Sequence, residues 1–315
     1  MIEVLNGGTR ATIQDAGRPG YRHVGIPQSG AADKLSFALA NWMVGNRWDA
    51  PAIECALGGL HLRFTEPTTM ALAGAEMWAQ INGLNVKNYT AMTVNKGDIL
   101  TMSFVRDGCR AYVAISGGLK IPEFMGSAST YLPAEFGGYE GRALRTGDKL
   151  TASNRPREAP RKIPTGYTPR LSRHIVLRTR TAPEWELLSK PSQRHLFVSP
   201  FVATSATDRM GSRLRGDRID SDSTLSMISS PLLPGTLQLP PDGQPILILA
   251  DGHCTGGYPR VLQVIRADLW LLGQIAPGSQ VSFRRCFEGD SSEILAGRNS
   301  FYSSQHGGMI EGFAF

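Results

Sequence analysis

The sequence of 315 residues has few cysteines, few histidines and no long apolar run, and each shortage excludes a class of protein. Its four cysteines, Cys55, Cys109, Cys254 and Cys286, lie far apart without a C-x-x-C pair. That spacing disfavours both a zinc site and a disulfide framework. The six histidines show no H-E-x-x-H motif or paired spacing, so no metal site is indicated.

Membrane and secretory signals are also missing. No stretch approaches the ~18 apolar residues that a membrane span requires, and the longest aliphatic run, 246–250, has the length of a strand. The first residues lack a basic segment followed by an apolar one, which is the pattern of a secretory signal. We therefore expect a soluble, cytoplasmic protein with no membrane partner.

Charge of either sign is sparse, at 19% of residues, but the formal net charge is +6. A basic balance indicates a nucleic-acid partner when the charges form a stripe on a folded face. Here the excess is concentrated in residues 151–173, where six arginines and lysines accompany four prolines and one glutamate. That composition is typical of an exposed connection between folded units, so we expect no nucleic-acid partner.

Short runs of β-forming residues recur on both sides of this connection and predict a mainly β fold with a few short helices. The runs lie at 2–5, 69–72, 78–81, 99–104, 112–115, 175–177, 225–228, 246–250, 261–265 and 281–283. The clearest helix begins near Asp33, a good N-cap, and carries apolar residues at helical spacing as far as Met43. Shorter helices are expected at 267–273, and at 183–190 or 292–303.

We predict two domains and two connecting or terminal segments. The predicted bounds are 1–152 for an N-terminal β-barrel domain, 153–172 for the basic, proline-rich connection, 173–290 for a C-terminal β-barrel domain and 291–315 for a tail.

Polar and glycine residues gather at 14–21 and 27–33, directly before the predicted helix. A Ser29-Gly30-Ala31 turn at a helix start could leave backbone N–H groups free to receive a carboxylate or phosphate. Asp15, Ser29 and Asp33 could instead be ordinary turn and cap residues.

Arginines with glycine spacing form a second group, at 208–216. Arg209, Arg213 and Arg215 could bind carboxylate or phosphate oxygens through their guanidinium groups. The alternative is a surface loop whose arginines pair with neighbouring aspartates.

A third group follows the strand at 246–250, which Asp242-Gly243 introduces with a hairpin signal. The strand delivers Asp251, His253, Cys254 and Thr255 to its end. Residues 252–256 imitate a nucleophile elbow with cysteine as nucleophile, but the glycines and proline at 256–259 would break the helix that an elbow needs. We therefore do not expect a thiol hydrolase.

Together these segments resemble one family. The matching motifs are Q-D-x-G-R-x-G-Y at 14–21, G-x-P-x-S-G-A-x-D at 25–33, A-N at 40–41 with G-N at 45–46, G-G-x-E-G-R-x-L at 137–144, R-M-G-x-R-L-x-G at 209–216 and T-G-G-Y-P-R at 255–260. The chain resembles the 5-oxoprolinase C subunit family, also called allophanate hydrolase subunit 2 or biotin-dependent carboxyltransferase, from about residue 3 to residue 285.

The resemblance implies two cyclophilin-like β-barrel domains and a role in a heteromeric complex. The implied partners are a smaller, cyclophilin-like B subunit and an A subunit of the LamB/YcsF type. The implied activity is ATP-dependent opening of 5-oxo-L-proline to glutamate. ATP would be a co-substrate, although the sequence contains neither G-x-x-x-x-G-K-[ST] nor a G-x-G-x-x-G between a strand and a helix. The substrate would be a small amide or lactam.

The resemblance also suggests roles for residues of the three groups. Asp15, Asp251 and His253 are the predicted catalytic residues, the aspartates as a base or as groups that orient the amide. Arg209 and Arg213 would hold phosphate or carboxylate, and Ser29 and Gly30 would offer donors to an anion. The remaining predicted substrate-binding residues are Arg18, Gln244, Thr255, Gly256, Gly257 and Tyr258. These pieces are expected to share one cleft.

Two alternatives stay open. The first is a biotin-dependent carboxyltransferase component that acts on urea or another small amide, which needs a separate biotin carrier because the chain has no Met-Lys-Met site. The second is a non-catalytic regulator of a histidine kinase. His253 and Cys254 stand where the family commonly has Gln-Thr, and an imidazole in place of an amide would change the pH response of a site.

Overall fold

Strands dominate the chain, as the sequence predicts, in a computed structural model that describes residues 1–153, 160–220 and 227–304. The chain divides into two compact units. The first unit comprises Met1–Arg18 and Ser29–Leu171, and the second comprises Pro19–Gln28 and the described residues from Ser172 onward. The predicted bounds 1–152 and 173–290 remain predictions, and nothing in the sequence pattern indicates that 19–28 belongs with the second half.

The first unit consists of two open sheets that share one apolar core. Its strands are β1 (Ile2–Gly7), β2 (Arg10–Gln14), β3 (Ala52–Ala56), β4 (Leu60–Phe64), β5 (Thr68–Glu76), β6 (Gln80–Ile81), β7 (Leu84–Asn85), β8 (Ala91–Val94), β9 (Ile99–Thr101), β10 (Asp107–Ile115) and β11 (Lys149–Leu150). Six strands pair in the order β11-β1-β4-β9-β6-β7 and five in the order β2-β3-β10-β5-β8. Val4 and Phe64 of one sheet and Ile13 and Val113 of the other lie in the same core. The two sheets therefore enclose one core, and the mainly β fold with few helices that the sequence predicts is confirmed.

Helix α1 (Lys34–Met43) packs on the five-stranded sheet against β5 and β10. The predicted N-cap is confirmed, because the Asp33 side chain accepts a hydrogen bond from the Ser36 N–H at 2.9 Å.

A buried polar cluster on that sheet holds the residues that lead into α1. Glu54 Oε2 accepts hydrogen bonds from the Ala32 N–H at 2.9 Å and from the Tyr112 hydroxyl at 2.8 Å. The Tyr112 oxygen in turn accepts a hydrogen bond from the Asp33 N–H at 2.8 Å. Arg110 Nε lies 3.4 Å from Glu54 Oε1 and forms an ion pair with it. Burial, followed by the negative charges of Glu54 and Asp33, raises the pKa of Tyr112, so the phenol stays protonated and donates.

The second unit is built around a closed seven-stranded barrel in the order β12-β19-β16-β17-β14-β13-β20. The strands are β12 (His174–Thr181), β13 (Phe201–Thr207), β14 (Gly211–Arg215), β15 (Ser230–Pro231), β16 (Thr236–Gln238), β17 (Ile246–Ile248), β18 (Thr255–Gly256), β19 (Arg260–Val264) and β20 (Gln280–Arg285). β15 and β18 form a separate two-stranded ribbon. Leu177, Phe201, Leu237 and Phe283 belong to the core of this unit.

The structure describes two further α-helices and five 3-10 helices. They are α2 (Lys190–Val198), α3 (Glu288–Ser304) and the 3-10 helices Arg22–Val24, Leu132–Ala134, Thr165–Tyr167, Trp185–Leu187 and Arg266–Gln274. The helix expected at 267–273 is therefore a 3-10 helix. The predicted tail begins inside α3, whose Ile294 and Leu295 pack against Ile265 and Cys286. The rest of the tail, and residues 225–226 of the strand expected at 225–228, lie outside the described residues, and 227–228 are not in a strand.

One part of the basic connection contacts the first unit. The Arg161 N–H donates to the Met43 carbonyl at 3.1 Å, and the Ile163 N–H donates to the Tyr89 carbonyl at 3.0 Å. Ile163 is buried. Paired backbone and the buried Ile163 side chain therefore attach 161–163 to the first unit, although Lys162 is exposed as its composition predicts. The bounds 153–172 stay a prediction, and 154–159 lie outside the described residues.

Removing the Tyr112 hydroxyl should destabilise the first unit. Tyr112→Phe leaves the Asp33 N–H and one Glu54 oxygen without this partner in a buried site, which typically costs about 1–3 kcal/mol. Urea unfolding of the variant should show that loss. Tyr139→Phe is the matched control, because the structure gives that hydroxyl no hydrogen bond among the described residues. Equal stability of the two variants would contradict the proposed importance of the cluster.

Candidate functional site

Asp15 follows β2 directly and ties two segments of the first unit together. Its Oδ1 accepts hydrogen bonds from Ser127 Oγ at 2.6 Å, from Ser129 Oγ at 2.5 Å and from the Gly17 N–H at 2.7 Å. Its Oδ2 accepts from the Ala128 N–H at 2.6 Å. Four donors on one buried carboxylate fix its position and leave little room for a substrate proton. This geometry argues against the predicted role as a base and makes Asp15 the organiser of the turn.

Arg18 joins the first motif to the glycine-rich motif at 137–144. Its side chain is fully buried, its Nη2 donates to the Ser129 carbonyl, and its guanidinium carbon lies 4.9 Å from the centre of the Phe136 ring. Gly137 has a φ of +68°, and a Cβ added there would lie 2.1 Å from the Ser129 carbonyl oxygen that accepts from Arg18, and 2.8 Å from Arg18 Nη2. The glycine is therefore needed where the arginine passes.

Ser29 has two energetically unfavourable features, its backbone conformation and its unpaired hydroxyl. Its φ is +56°, in the left-handed region that non-glycine residues rarely adopt. Its side chain is 3% exposed, and its Oγ has no hydrogen-bond partner among the described residues. Strained backbone and unpaired buried hydroxyls concentrate at functional positions. The prediction that Ser29 contacts a ligand keeps its physical basis.

The backbone donors after Ser29 are used within the protein. The Ala31 N–H donates to the Asp15 carbonyl at 2.9 Å, and the N–H groups of Ala32 and Asp33 donate to Glu54 and Tyr112. Gly30, with a φ of +85°, rests so close to Ala16 that a Cβ would lie 2.8 Å from its carbonyl carbon. Within the Ser29-Gly30-Ala31 turn, the Ala31 N–H is therefore not available to an anion as predicted, because it and the next two N–H groups hold the turn on the sheet.

Arg209 and Asp251, predicted as separate ligand-contacting residues of the second unit, pair with each other. Arg209 Nε donates to Asp251 Oδ2 at 2.7 Å, and Nη2 donates to Oδ1 at 3.0 Å. The Asp251 N–H also donates to the Arg209 carbonyl at 2.8 Å, and the side chains are only 5% and 1% exposed. This arrangement argues against Asp251 as a base and gives Arg209 the task of neutralising a buried carboxylate.

Arg213 is exposed, whereas the side-chain amide of Gln244 is hydrogen-bonded within the protein. Arg213 is exposed on β14, where the alternation with the buried Ser212 and Leu214 places it outside the barrel. The Gln244 amide accepts from the Gly216 N–H at 3.0 Å and donates to the Gly216 carbonyl at 3.2 Å. Gln244 therefore closes a loop, and this pairing opposes its predicted contact with substrate.

The double-glycine motif lies on the ribbon formed by β15 and β18. Thr255, Gly257 and Tyr258 are exposed, as is His253. A Cβ on Gly256 would lie 2.7 Å from Gln238 Nε2, which donates to the Tyr258 carbonyl at 3.3 Å. The ribbon therefore presents its polar residues outward while Gln238 supports it from behind.

Arg260, the last residue of that motif, fastens the ribbon. It forms a bidentate pair with Glu184 at 2.8 Å for both bonds, and its Nη1 donates to the Pro231 carbonyl at 3.0 Å. Arg22, from the segment 19–28, donates to the neighbouring Leu232 carbonyl. The arginine bond to Glu184 is the main cause that lowers the pKa of this carboxyl.

The predicted residues thus fall into two groups, one in each unit. Asp15, Arg18, Ser29 and Gly30 lie in the first unit, and the remainder lie in the second. That the two groups share one cleft stays a prediction. Sequence reasoning missed the supporting residues Ser127, Ser129, Gln238 and Glu184, which belong to no recognisable motif.

Metal-binding clusters and membrane-spanning helices are both absent from the described residues. No group of three or more His, Cys, Asp or Glu side chains is arranged to hold a metal ion in the part of the chain that the structure describes. The helices described there include none with the length and apolarity of a membrane span.

Breaking the buried ion pair between Arg209 and Asp251 should destabilise the second unit. Arg209→Met leaves the Asp251 carboxylate buried without its partner, and losses of about 3–5 kcal/mol are typical of such changes. The double variant Arg209→Met with Asp251→Leu should recover much of that loss, as chemical denaturation would measure. If Arg209→Met unfolds at the wild-type denaturant concentration, the arginine is free to bind a ligand and the structural role is wrong.

The Glu184 pair should contribute stability that depends on pH. The folded pKa of Glu184 is lowered from its ordinary value of 4.5, so its stabilisation is complete above that value and is lost as pH falls through the folded pKa. The free energy of unfolding of the wild type and of Glu184→Gln should be measured from pH 7 down to the acid limit of folding. The difference between the two proteins should be largest at pH 7 and should shrink on acidification. A difference that grows on acidification would have the wrong sign.

The chain matches the family described as carboxyltransferase domain, subdomain A and B, over residues 24–285. It is 35% identical to the C subunit of 5-oxoprolinase from Haemophilus influenzae, over 97% of both chains. It is 32% identical to a urea amidolyase of Lachancea kluyveri, covering 90% of this chain but 17% of that protein.

Solved structures agree with these sequence matches. The urea carboxylase of Kluyveromyces lactis superimposes with a TM-score of 0.91 at 30% identity, over 98% of this chain and 30% of that one. The urea amidolyase of the same organism gives a TM-score of 0.90, over 96% of this chain and 20% of that one. The resemblance read from the six motifs is confirmed: the chain belongs to the carboxyltransferase domain family that contains the 5-oxoprolinase C subunits and the urea amidolyases.

Proposed function

We propose that this chain is the C subunit of an ATP-dependent 5-oxoprolinase, working in the cytoplasm with a B subunit and with an A subunit of the LamB/YcsF type. One observation carries the proposal: the match to the C subunit of the Haemophilus influenzae enzyme extends over 97% of both chains. The urea amidolyase matches, at similar identity, cover only a small part of those proteins.

Opening a lactam requires activation of a resonance-stabilised amide. Transfer of the γ-phosphoryl group of ATP to the lactam carbonyl oxygen makes the ring carbon electrophilic. Water then adds to that carbon, the ring C–N bond breaks and the nitrogen takes up a proton, which leaves an acyl phosphate. A second water hydrolyses the acyl phosphate to the carboxylate of glutamate and free phosphate. Cationic and hydroxyl donors stabilise the charge that develops on the oxygens.

Among the described residues, several have the chemistry to serve these steps. The buried Ser29 hydroxyl can donate to a carbonyl or phosphoryl oxygen, and the exposed guanidinium of Arg213 can pair with a phosphate or carboxylate. Thr255 on the ribbon and His253, two residues before it, can donate or accept. The bonds already made by Asp15 and by the Arg209–Asp251 pair suit the positioning of these groups. ATP is a co-substrate of the complex, and the chain carries no motif that assigns its binding here.

A carboxyltransferase acting on urea or another small amide is the second candidate. The TM-score of 0.91 to the urea carboxylase of Kluyveromyces lactis favours it. In that reaction a carboxylated biotin on a separate carrier donates its carboxyl group, so biotin is a cofactor only under this alternative.

Co-expression separates the two candidates. The chain with its B and A partners should release glutamate and ADP from 5-oxo-L-proline, and omission of the chain should abolish that release. Replacing the chain by the C subunit of the Haemophilus influenzae enzyme provides the positive control. If that control is active and the complex with this chain is not, the proposal fails, and ATP-dependent carboxylation of urea with a biotin carrier and a biotin carboxylase becomes the next assay.

Arg213 gives a test that keeps folding separate from activity. Arg213→Ala should leave stability within about 0.5 kcal/mol of the wild type, because the side chain is exposed. It should lower kcat/KM for 5-oxo-L-proline by roughly 10- to 100-fold, the effect of one charge-assisted hydrogen bond.

Arg215→Ala is the matched control, since Arg215 lies two residues along the same strand on the same face. It should retain wild-type activity. Equal activity of both variants would show that Arg213 has no part in the reaction.

A further inference from the structure

Gln14, the last residue of β2, points away from the apolar core. Its neighbour Ile13 lies in that core, so strand alternation places Gln14 and Thr12 on the opposite face of the sheet. Thr12 pairs across the sheet with Glu54, which places the polar cluster on the same face. Gln14 therefore lies on the face to which the turn after Ser29 is attached.

The contacts of Gln14 determine which atom of its side-chain amide lacks a hydrogen-bond partner. Its Nε2 donates to Thr12 Oγ1 at 3.0 Å and to the Thr130 carbonyl at 3.2 Å. A carbonyl only accepts, so the NH2 group must face Thr130 and the amide oxygen must point elsewhere. The Gln14 side chain is fully buried, and its Oε1 has no hydrogen-bond partner among the described residues.

Ser29, on the turn that faces Gln14, supplies a second buried polar atom without a hydrogen-bond partner among the described residues. The turn rests on the residues that follow Gln14, because Gly30 packs against Ala16 and the Ala31 N–H donates to the Asp15 carbonyl. Ser29 Oγ is buried and also has no partner among the described residues, so it does not bond to Gln14. One buried acceptor and one buried donor thus lie on adjoining segments.

We propose that Gln14 Oε1 and Ser29 Oγ recognise the two polar atoms of a cis amide, Gln14 accepting from its N–H and Ser29 donating to its C=O. This inference rests on the proposed function and extends it to a substrate class. In a lactam or a cyclic urea, the N–H and the C=O lie on the same edge of the ring. In an ordinary trans amide they point in opposite directions. The pair therefore selects cyclic amides against open-chain secondary amides.

A role in ligand binding also explains why both atoms lack a partner within the described residues. A site built to hydrogen-bond a ligand leaves its own polar groups unpaired until the ligand arrives, and it rejects analogues that cannot pair with them. The Ser29 hydroxyl has no structural bond to lose, so its removal should cost the fold nothing. Relief of the left-handed strain should make Ser29→Gly at least as stable as the wild type.

The decisive experiment compares stability and binding in the same variants. Ser29→Ala and Ser29→Gly should retain or exceed the wild-type melting temperature, yet should weaken binding of 5-oxo-L-proline about tenfold in calorimetric titration. Ser127→Ala is the control, because that hydroxyl bonds to Asp15 and its loss should lower the melting temperature. Gln14→Met should weaken binding similarly while keeping the side chain's volume.

The probes are 5-oxo-L-proline, 2-imidazolidinone and the trans amide N-methylacetamide. The wild type should bind the two cyclic compounds in preference to N-methylacetamide, and the Ser29 and Gln14 variants should lose that preference. Unchanged affinity and preference in Ser29→Ala and Gln14→Met would overturn the inference and would indicate that the two atoms hold a buried water only.

Kinetics of the assembled complex distinguish the failure of this inference from failure of the proposed function. If the complex with the wild-type chain turns over 5-oxo-L-proline and both variants retain its KM and kcat, only the inference fails. If the wild-type complex is inactive beside an active Haemophilus influenzae control and its chain binds neither cyclic probe, both proposals fail. Loss of kcat/KM in the variants with an unchanged fold supports both.

Discussion

The Glu54 carboxylate, with one oxygen shared between the Ala32 N–H and the Tyr112 hydroxyl, is the constraint on which the first unit's site depends. It is buried in the middle of a sheet, so each donor that reaches it is fixed in place. Those donors hold the turn that carries Ser29 and the start of α1. Because the turn is pinned at 31–33, Ser29 stays in a backbone conformation that it would otherwise leave.

In the second unit, carboxylates paired with arginines likewise hold loops in place. Arg209 and Asp251 neutralise each other where the loops at the ends of β13 and β17 meet, and Arg260 with Glu184 fastens the ribbon. Such pairs contribute little net stability when compared with apolar packing, but removal of one partner is costly. They keep the loop ends in one arrangement, and they leave His253 and Arg213 exposed.

Several residues of catalytic type are therefore supporting residues here. Asp15 accepts four hydrogen bonds, and Gln244 is occupied by the backbone of Gly216. Two of the buried side-chain atoms with unmet hydrogen-bonding capacity are less conspicuous in the sequence: the hydroxyl of Ser29 and the amide oxygen of Gln14. A buried polar atom without a protein partner is a stronger pointer to ligand contact than residue type alone, because leaving it unpaired has a free-energy cost.

The sequence by itself determined the mainly β fold, the N-cap at Asp33 and the family, because these depend on local signals: strand patterning, a side chain that caps the next turn, and motifs in a fixed order. Only the tertiary structure decided that Pro19–Gln28 joins the second unit, that two sheets enclose the core of the first unit, and which polar residues are already paired. Asp15 meets Ser129, and Arg209 meets Asp251, across long separations in the chain. Such partners are chosen by packing, and no periodicity along the sequence records them.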